Sequence, residues 1–252
     1  MSGPASAPPL PLPAEETLRF LERVLPPAPA RLLEVGCGDG LVAAALGTRG
    51  YDVTALDESL APHESATAAR VTWVESNFLF YEEGGAGAPF DAVVFTRSLH
   101  HIAPLDRALD RAAALLGPGG RLIAEEFAFD RVTLPTARWW YDMESVLVAG
   151  GLLSPPDPAL AAIRNPLGRW KQEHAHDPPL PTGHDMLAAV RERFETGPAE
   201  EAPYLYRYAH DRALPGAAAE RAVRQLFEIE SRLARERDIA AAGLRIVATR
   251  PE

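Results

Sequence analysis

The segment LLEVGCGDG, residues 32–40, carries the strongest chemical signal in the chain. An apolar run containing Glu34 ends at Val35, and glycines follow at positions 36, 38 and 40. Glycines in that spacing allow positive φ and let a ligand approach the backbone closely. A helix starting behind them would offer unsatisfied N–H donors. The loop is not the dinucleotide fingerprint, whose third glycine would fall where Leu41 stands, and it has no Gly-Lys-Ser/Thr of a phosphate loop. Asp57 ends the next apolar run. An acid there can accept two hydrogen bonds from the vicinal hydroxyls of a ribose. The competing reading is a carboxylate that caps the following helix. Glycine loop and spaced acid together favour ribose binding.

Other groups could do chemistry further on. His100 and His101 follow a buried run, FDAVVFT, where open α/β sheets bind ligands. His100 is the candidate catalytic base facing a bound substrate, and His101 a candidate substrate-side residue; either could instead pack or bond the loop backbone. Trp139, Trp140 and Trp170 are candidate substrate contacts, since aromatic walls suit a ring or a cation. The competing reading makes them the core of a small helical cap. His174, His176, Asp177 and His184 have no specific zinc spacing, and no metal is expected. Cys37 reads as a small filler in the glycine loop.

The elements that must position these groups alternate. Apolar runs at 31–35, 51–57, 71–76, 90–96 and 121–129 read as strands, and 39–50 and 104–116 as helices. That rhythm implies βαβ units and a parallel sheet. Residues 1–13 hold five prolines and read as a flexible tail, with a helix over 15–25 behind it. Residues 58–70 read as weakly helical, EEGGAGAP (82–89) as a loop and GPGG (117–120) as a turn. The rhythm breaks over 130–185, which reads as an insertion with a helix near 136–149 and a long loop over 154–182. A helix follows near 184–194, then a strand somewhere in 194–202. PYLYRYAH (203–210) is ambiguous between strand and helix. The longest helix spans 217–241, and GLRIVATR (243–250) closes the chain as a strand.

In this order the motifs resemble those of the class I S-adenosylmethionine-dependent methyltransferases. EVGCGDG resembles the family's glycine-rich first motif, and VTALD its second strand with the ribose acid. VTWVESN is similar to the third strand and the residue beside adenine. FDAVVFTRSLHHI is similar to the fourth strand and its loop, and LLGPGGRLIAEE to the turn and fifth strand. The resemblance covers about residues 30–130. It implies a Rossmann-like, doubly wound α/β fold with a seven-stranded, mostly parallel sheet and an antiparallel last strand. The domain would span 14–252, with the 130–185 insertion between strands five and six forming a lid. It also implies S-adenosyl-L-methionine as cofactor. Glu34 would orient the methionine amino group, Gly36 and Gly38 would line the cofactor with bare backbone, and Asp57 would hold the ribose with Glu58 alongside. Asn77 stands where the family usually has Asp and would meet the adenine amino group. Phe78 would offer its N–H to the ring, and Thr96 would lie near the methionine moiety.

Composition narrows the partners. The net charge is −10, which repels phosphate backbones and, with the aromatic insertion, favours a small-molecule acceptor over nucleic acid; the resemblance is taken to imply methyl transfer to oxygen or nitrogen. No apolar run approaches a membrane span. The start lacks the features of a signal peptide and there is one cysteine, so the expected compartment is the cytoplasm. Two rivals stay open. An NAD(P)-dependent oxidoreductase shares the acid after strand two, against which stand Leu41 and the L-x-P-G-G turn. A non-catalytic module binding the cofactor or its product would keep the same loop.

Overall fold

The computed structural model describes residues 10–61, 70–82 and 88–252. Most of the expected tail, most of the weakly helical segment over 58–70 and the centre of the 82–89 loop lie outside the described residues. In chain order the elements are α1 (Leu12–Val24), β1 (Arg31–Val35), α2 (Leu41–Thr48), β2 (Asp52–Asp57), β3 (Val71–Glu75), β4 (Phe90–Thr96), α3 (Leu105–Leu115) and β5 (Leu116–Phe127). They continue with α4 (Leu134–Ala149), α5 (Pro158–Ala161), α6 (Pro166–Glu173), α7 (Gly183–Arg191), β6 (Glu195–Thr196), β7 (Glu200–Ala202), α8 (Leu205–Asp211), α9 (Ala217–Glu236) and β8 (Gly243–Thr249). The chain divides into two compact units.

The first unit runs to Glu126 and includes 186–199 and 246–252. Its strands follow the order β3-β2-β1-β4-β5-β8-β6. β2 and β4 flank β1, and the pairs β1–β2, β1–β4, β2–β3 and β4–β5 are parallel. β1 and β4 are buried almost throughout, which explains why both read as continuous apolar runs. Leu18, Phe20 and Leu21 of α1 pack into a core with Leu32, Leu46, Val53 and Val94. α1 starts earlier than expected. Leu12 and Pro13 belong to it and are buried, because proline fits the first turn of a helix. GPGG is not a free turn. It lies inside β5 as an irregularity, where Phe90 pairs with Leu116 and Ala92 with Arg121. Gly119 takes φ +70° there, a conformation that other residues rarely adopt.

The second unit comprises 127–185 and 200–245. It is larger than the insertion expected over 130–185, because α8 and α9 join it. The 154–182 stretch is not one long loop. Asp157 accepts from the backbone N–H of Ala159 at 2.7 Å to cap α5, and Asn165 accepts from Gly168 N at 3.0 Å to cap α6, each with proline at the next position. PYLYRYAH resolves into α8. The buried carboxylate of Glu230 on α9 accepts the N–H groups of Tyr204, Leu205 and Tyr206 at 2.7, 2.9 and 2.9 Å. It thereby satisfies the donors that a helix start leaves open.

Among the described residues the sheet has eight strands, where seven were expected. Residues 195–202 form two short strands, because Gly197 and Pro198 interrupt them and proline cannot donate to a ladder. β6 and β7 both pair antiparallel with β8. No helix among the described residues is long and apolar enough to cross a membrane.

Candidate active site

A cavity of about 480 Å³ opens in the first unit, lined by residues at the ends of β1 and β2 and by residues that follow β1, β2, β3 and β4. The glycine loop turns off β1 by donating Gly36 N and Cys37 N to Leu56 O of β2, at 2.7 and 3.1 Å. Gly36 has φ +73°, and a Cβ built on it would lie 2.5 Å from Ser98 Cβ. Only glycine fits. A Cβ on Gly38 would meet nothing within 4 Å, so open space lies against that backbone. The Asp57 carboxylate accepts Gly38 N at 2.9 Å and Ser59 N at 3.1 Å. It therefore holds both the loop and its own turn, and each oxygen keeps acceptor capacity. Asn77 donates its amide to Glu58, and its oxygen accepts Leu79 N at 2.9 Å. Phe78 is buried edge-on against Phe95.

Glu34 is the most perturbed acid near this cavity. It precedes the lining residue Val35 and is 1% exposed. Thr96 donates to its Oε1 at 3.1 Å, while Oε2 has no hydrogen-bond partner among the described residues. Burial pushes its pKa up to about 8, outweighing the Thr96 hydrogen bond, and the nearby Asp39 carboxylate adds to the rise. A buried carboxyl oxygen without a partner suits a ligand cation, and the open backbone at Gly38 suits a close-lying ligand. These residues fit the amino-acid moiety and ribose of S-adenosylmethionine.

The loop after β4 forms another wall. Arg97, Ser98, His101, Ile102 and Ala103 line it. Glu126, fully buried at the end of β5, anchors it by accepting Ser98 N at 3.1 Å and Leu99 N at 2.9 Å. Its other oxygen lies 2.5 Å from His100 Nδ1. His100, the base expected from sequence, is therefore a buried partner of Glu126 and is not among the residues that line the cavity. The lining histidine is His101, whose ring lies 4.0 Å from that of His100.

Of the residues expected from sequence, Gly36, Asp57, Glu58, Asn77, Phe78 and His101 line one cavity. Gly38 joins through Asp57, and Glu34 and Thr96 form a buried bonded pair. Arg97 and Ser98 were not singled out from sequence. Their only signal is position, directly after the strand that ends at Thr96. The three tryptophans belong to the second unit. Trp140 and Trp170 are buried and Trp139 is half-buried. Trp170 stacks on His174 at 4.0 Å and donates Nε1–H to Phe129 O at 3.0 Å. Trp140 lines a separate cavity of about 490 Å³ with Glu144, Arg169 and Tyr208. Both ring nitrogens of His174 are engaged, one by Trp170 O and one by the Tyr208 hydroxyl, each at 2.8 Å. That arrangement leaves His174 no lone pair for a metal.

Comparisons with known proteins place this geometry. An uncharacterised methyltransferase of Mycobacterium tuberculosis is 38% identical over 112 residues, covering 43% of this chain and 56% of its own. A ubiquinone biosynthesis O-methyltransferase of Xylella fastidiosa is 38% identical over 116 residues, covering 42% and 45%. The ribosomal RNA small subunit methyltransferase C of Chromohalobacter salexigens is 35% identical over 144 residues, covering 51% and 41%. The chain thus spans about half the length of the curated relatives it matches. Among solved structures, an S-adenosylmethionine-dependent methyltransferase from Mesorhizobium loti superposes with TM-score 0.56 at 18% identity, covering 94% of this chain and 98% of its own. The cyclase SpnF superposes with TM-score 0.55 at 19% identity, covering 94% and 81%. At such identities the likeness is one of fold. A family profile described as a methyltransferase domain matches residues 11–155. That is more than half of the sequence, and the chain accordingly belongs to the methyltransferase-domain family.

Proposed function

We propose that this chain transfers the methyl group of S-adenosylmethionine to a small-molecule oxygen or nitrogen acceptor. The observation that carries the reading is Glu34, a buried acid with one unpartnered oxygen beside a cavity edged by Asp57. In this reading Glu34, steadied by Thr96, takes the cofactor's amino group. Gly36 and Gly38 present bare backbone, and Asp57 accepts the ribose hydroxyls with Glu58 beside it. Asn77 Oδ1 keeps one lone pair for the adenine amino group, and Phe78 offers its N–H to the ring. The cofactor brings a methyl group already activated by its sulfonium. The protein's task is then alignment and exclusion of water, which can supply much of the rate.

His101 lines the cavity and is the residue proposed to take a proton from the acceptor, the role first given to His100. His100, held by Glu126, positions that loop. Among the relatives, one name specifies ubiquinone biosynthesis and another ribosomal RNA. The charge of −10 favours a small acceptor over nucleic acid.

Calorimetric titration with S-adenosylhomocysteine tests the cofactor reading, with NADH alongside and Asp57→Ala as the variant. Micromolar binding of S-adenosylhomocysteine, lost in Asp57→Ala and absent for NADH, is expected. No binding to the wild type would refute it. The fold also carries a cyclase, so a module that binds without methyl transfer is the second reading. Turnover on a panel of phenols, amines and carboxylic acids separates the two.

A further inference from the structure

Arg97 follows β4 directly, lines the cavity, and has φ +64°, in the left-handed region that bulky side chains avoid. Strain of this kind persists where surrounding structure holds it, and it concentrates at ligand sites. Here the backbone is held on both sides. Arg97 N donates to Glu125 O at 2.7 Å, and the next two N–H groups bond the buried Glu126 carboxylate. Among the described residues the guanidinium has no ion-pair or hydrogen-bond partner, and it lies close enough to Glu34 to act on its charge.

The charges of the cavity are sorted by strand. Its acids, Asp57 and Glu58, come from the end of β2, and Arg97 and His101 from the loop after β4. β2 and β4 lie on opposite sides of β1. If Asp57 holds the ribose, as proposed above, the nucleoside belongs to the β2 side and the reacting methyl to the β4 side. An unpaired guanidinium on that side is a fork for a carboxylate or a phosphate.

We infer that Arg97 is the anion-recognition residue of this cavity, and that the methyl acceptor is an acid carrying a carboxylate or phosphate. The inference rests on the cofactor reading. The same chemistry could be met by the cofactor's own carboxylate, and the experiment distinguishes the two sources.

Wild type and Arg97→Gln are titrated with S-adenosylhomocysteine and with its decarboxylated analogue, S-adenosyl-3-thiopropylamine. Each protein, saturated with S-adenosylhomocysteine, is then titrated by NMR with benzoate and phenyl phosphate, and with neutral benzamide and phenol. Expected are cofactor-product affinities within twofold between the two proteins. At least one anionic probe should bind the wild type at least tenfold more tightly than Arg97→Gln, with no such difference for the neutral probes. Two results overturn the inference. One is a tenfold loss for S-adenosylhomocysteine in Arg97→Gln without a loss for the decarboxylated analogue, which assigns the guanidinium to the cofactor. The other is anion binding that is absent or independent of Arg97. Failure of the wild type to bind S-adenosylhomocysteine at all is a different result, and it removes the cofactor reading underneath.

Discussion

Glu34→Gln separates the charge of the buried acid from its shape. In the folded protein burial raises the Glu34 pKa from 4.5 to about 8. The native state therefore holds a proton that the unfolded chain releases above about pH 4.5. Stability from this group is full below that pH and is lost as pH rises through about 8. Across that window the loss is at most about 5 kcal/mol, since each tenfold change in proton affinity is worth ~1.4 kcal/mol. Glutamine is neutral at every pH and keeps a carbonyl for the Thr96 hydroxyl. The stability difference between wild type and variant, from urea unfolding at pH 5, 6, 7 and 8, should move by several kcal/mol in favour of the variant as pH rises. Other titrating groups cancel in that difference. A difference that stays flat within about 1 kcal/mol would refute the reasoning, because folding would then change the proton affinity of Glu34 by less than about tenfold. The same chemistry predicts proton release. At pH 7 a group with this pKa is roughly nine-tenths protonated, so a ligand ammonium that ionises it should expel close to one proton. Calorimetry with S-adenosylhomocysteine in buffers of different ionisation enthalpy should find that proton with wild type and none with Glu34→Gln.

Two further outcomes follow from the same site. His101→Gln should lower kcat at least tenfold with S-adenosylhomocysteine affinity unchanged, whereas His100→Gln should lower the urea midpoint, since it strands part of the buried Glu126 carboxylate at a cost of about 1–3 kcal/mol; equal kinetic losses without destabilisation by His100→Gln would contradict the placement. Burial pushes the Cys37 thiol up to about 12, so at pH 8 iodoacetamide should leave it unmodified in the folded protein and label it in urea; rapid labelling of native protein would show the loop is more open than described.

The glycine loop, Asp57 and the first five strands were legible because each is a local pattern. Alternation of apolar runs with turn residues needs no distant partner to be read, and Gly36 sits in a conformation few other residues would take. Asp57 was legible as an acid at a strand end. Its carboxylate accepts Gly38 N and Ser59 N and has lone pairs left over for a ligand. The α5 and α6 starts were present as Asp157-Pro158 and Asn165-Pro166, a cap followed by proline, and were obscured by the density of prolines around them.

What only the tertiary structure decided depends on groups far apart in sequence. Glu230 chose helix for residues 205–211 by meeting their open N–H groups from another helix. Glu126 took His100 out of the cavity and left His101 in it. The 117–120 glycines became an irregularity in β5 because β4 pairs on both sides of them. The chain's own order of motifs determined the family, the glycine loop and the parallel sheet. Side-chain roles in the loop after β4, including an Arg97 guanidinium left without a partner among the described residues, required knowing which carboxylates fold close enough to claim a donor.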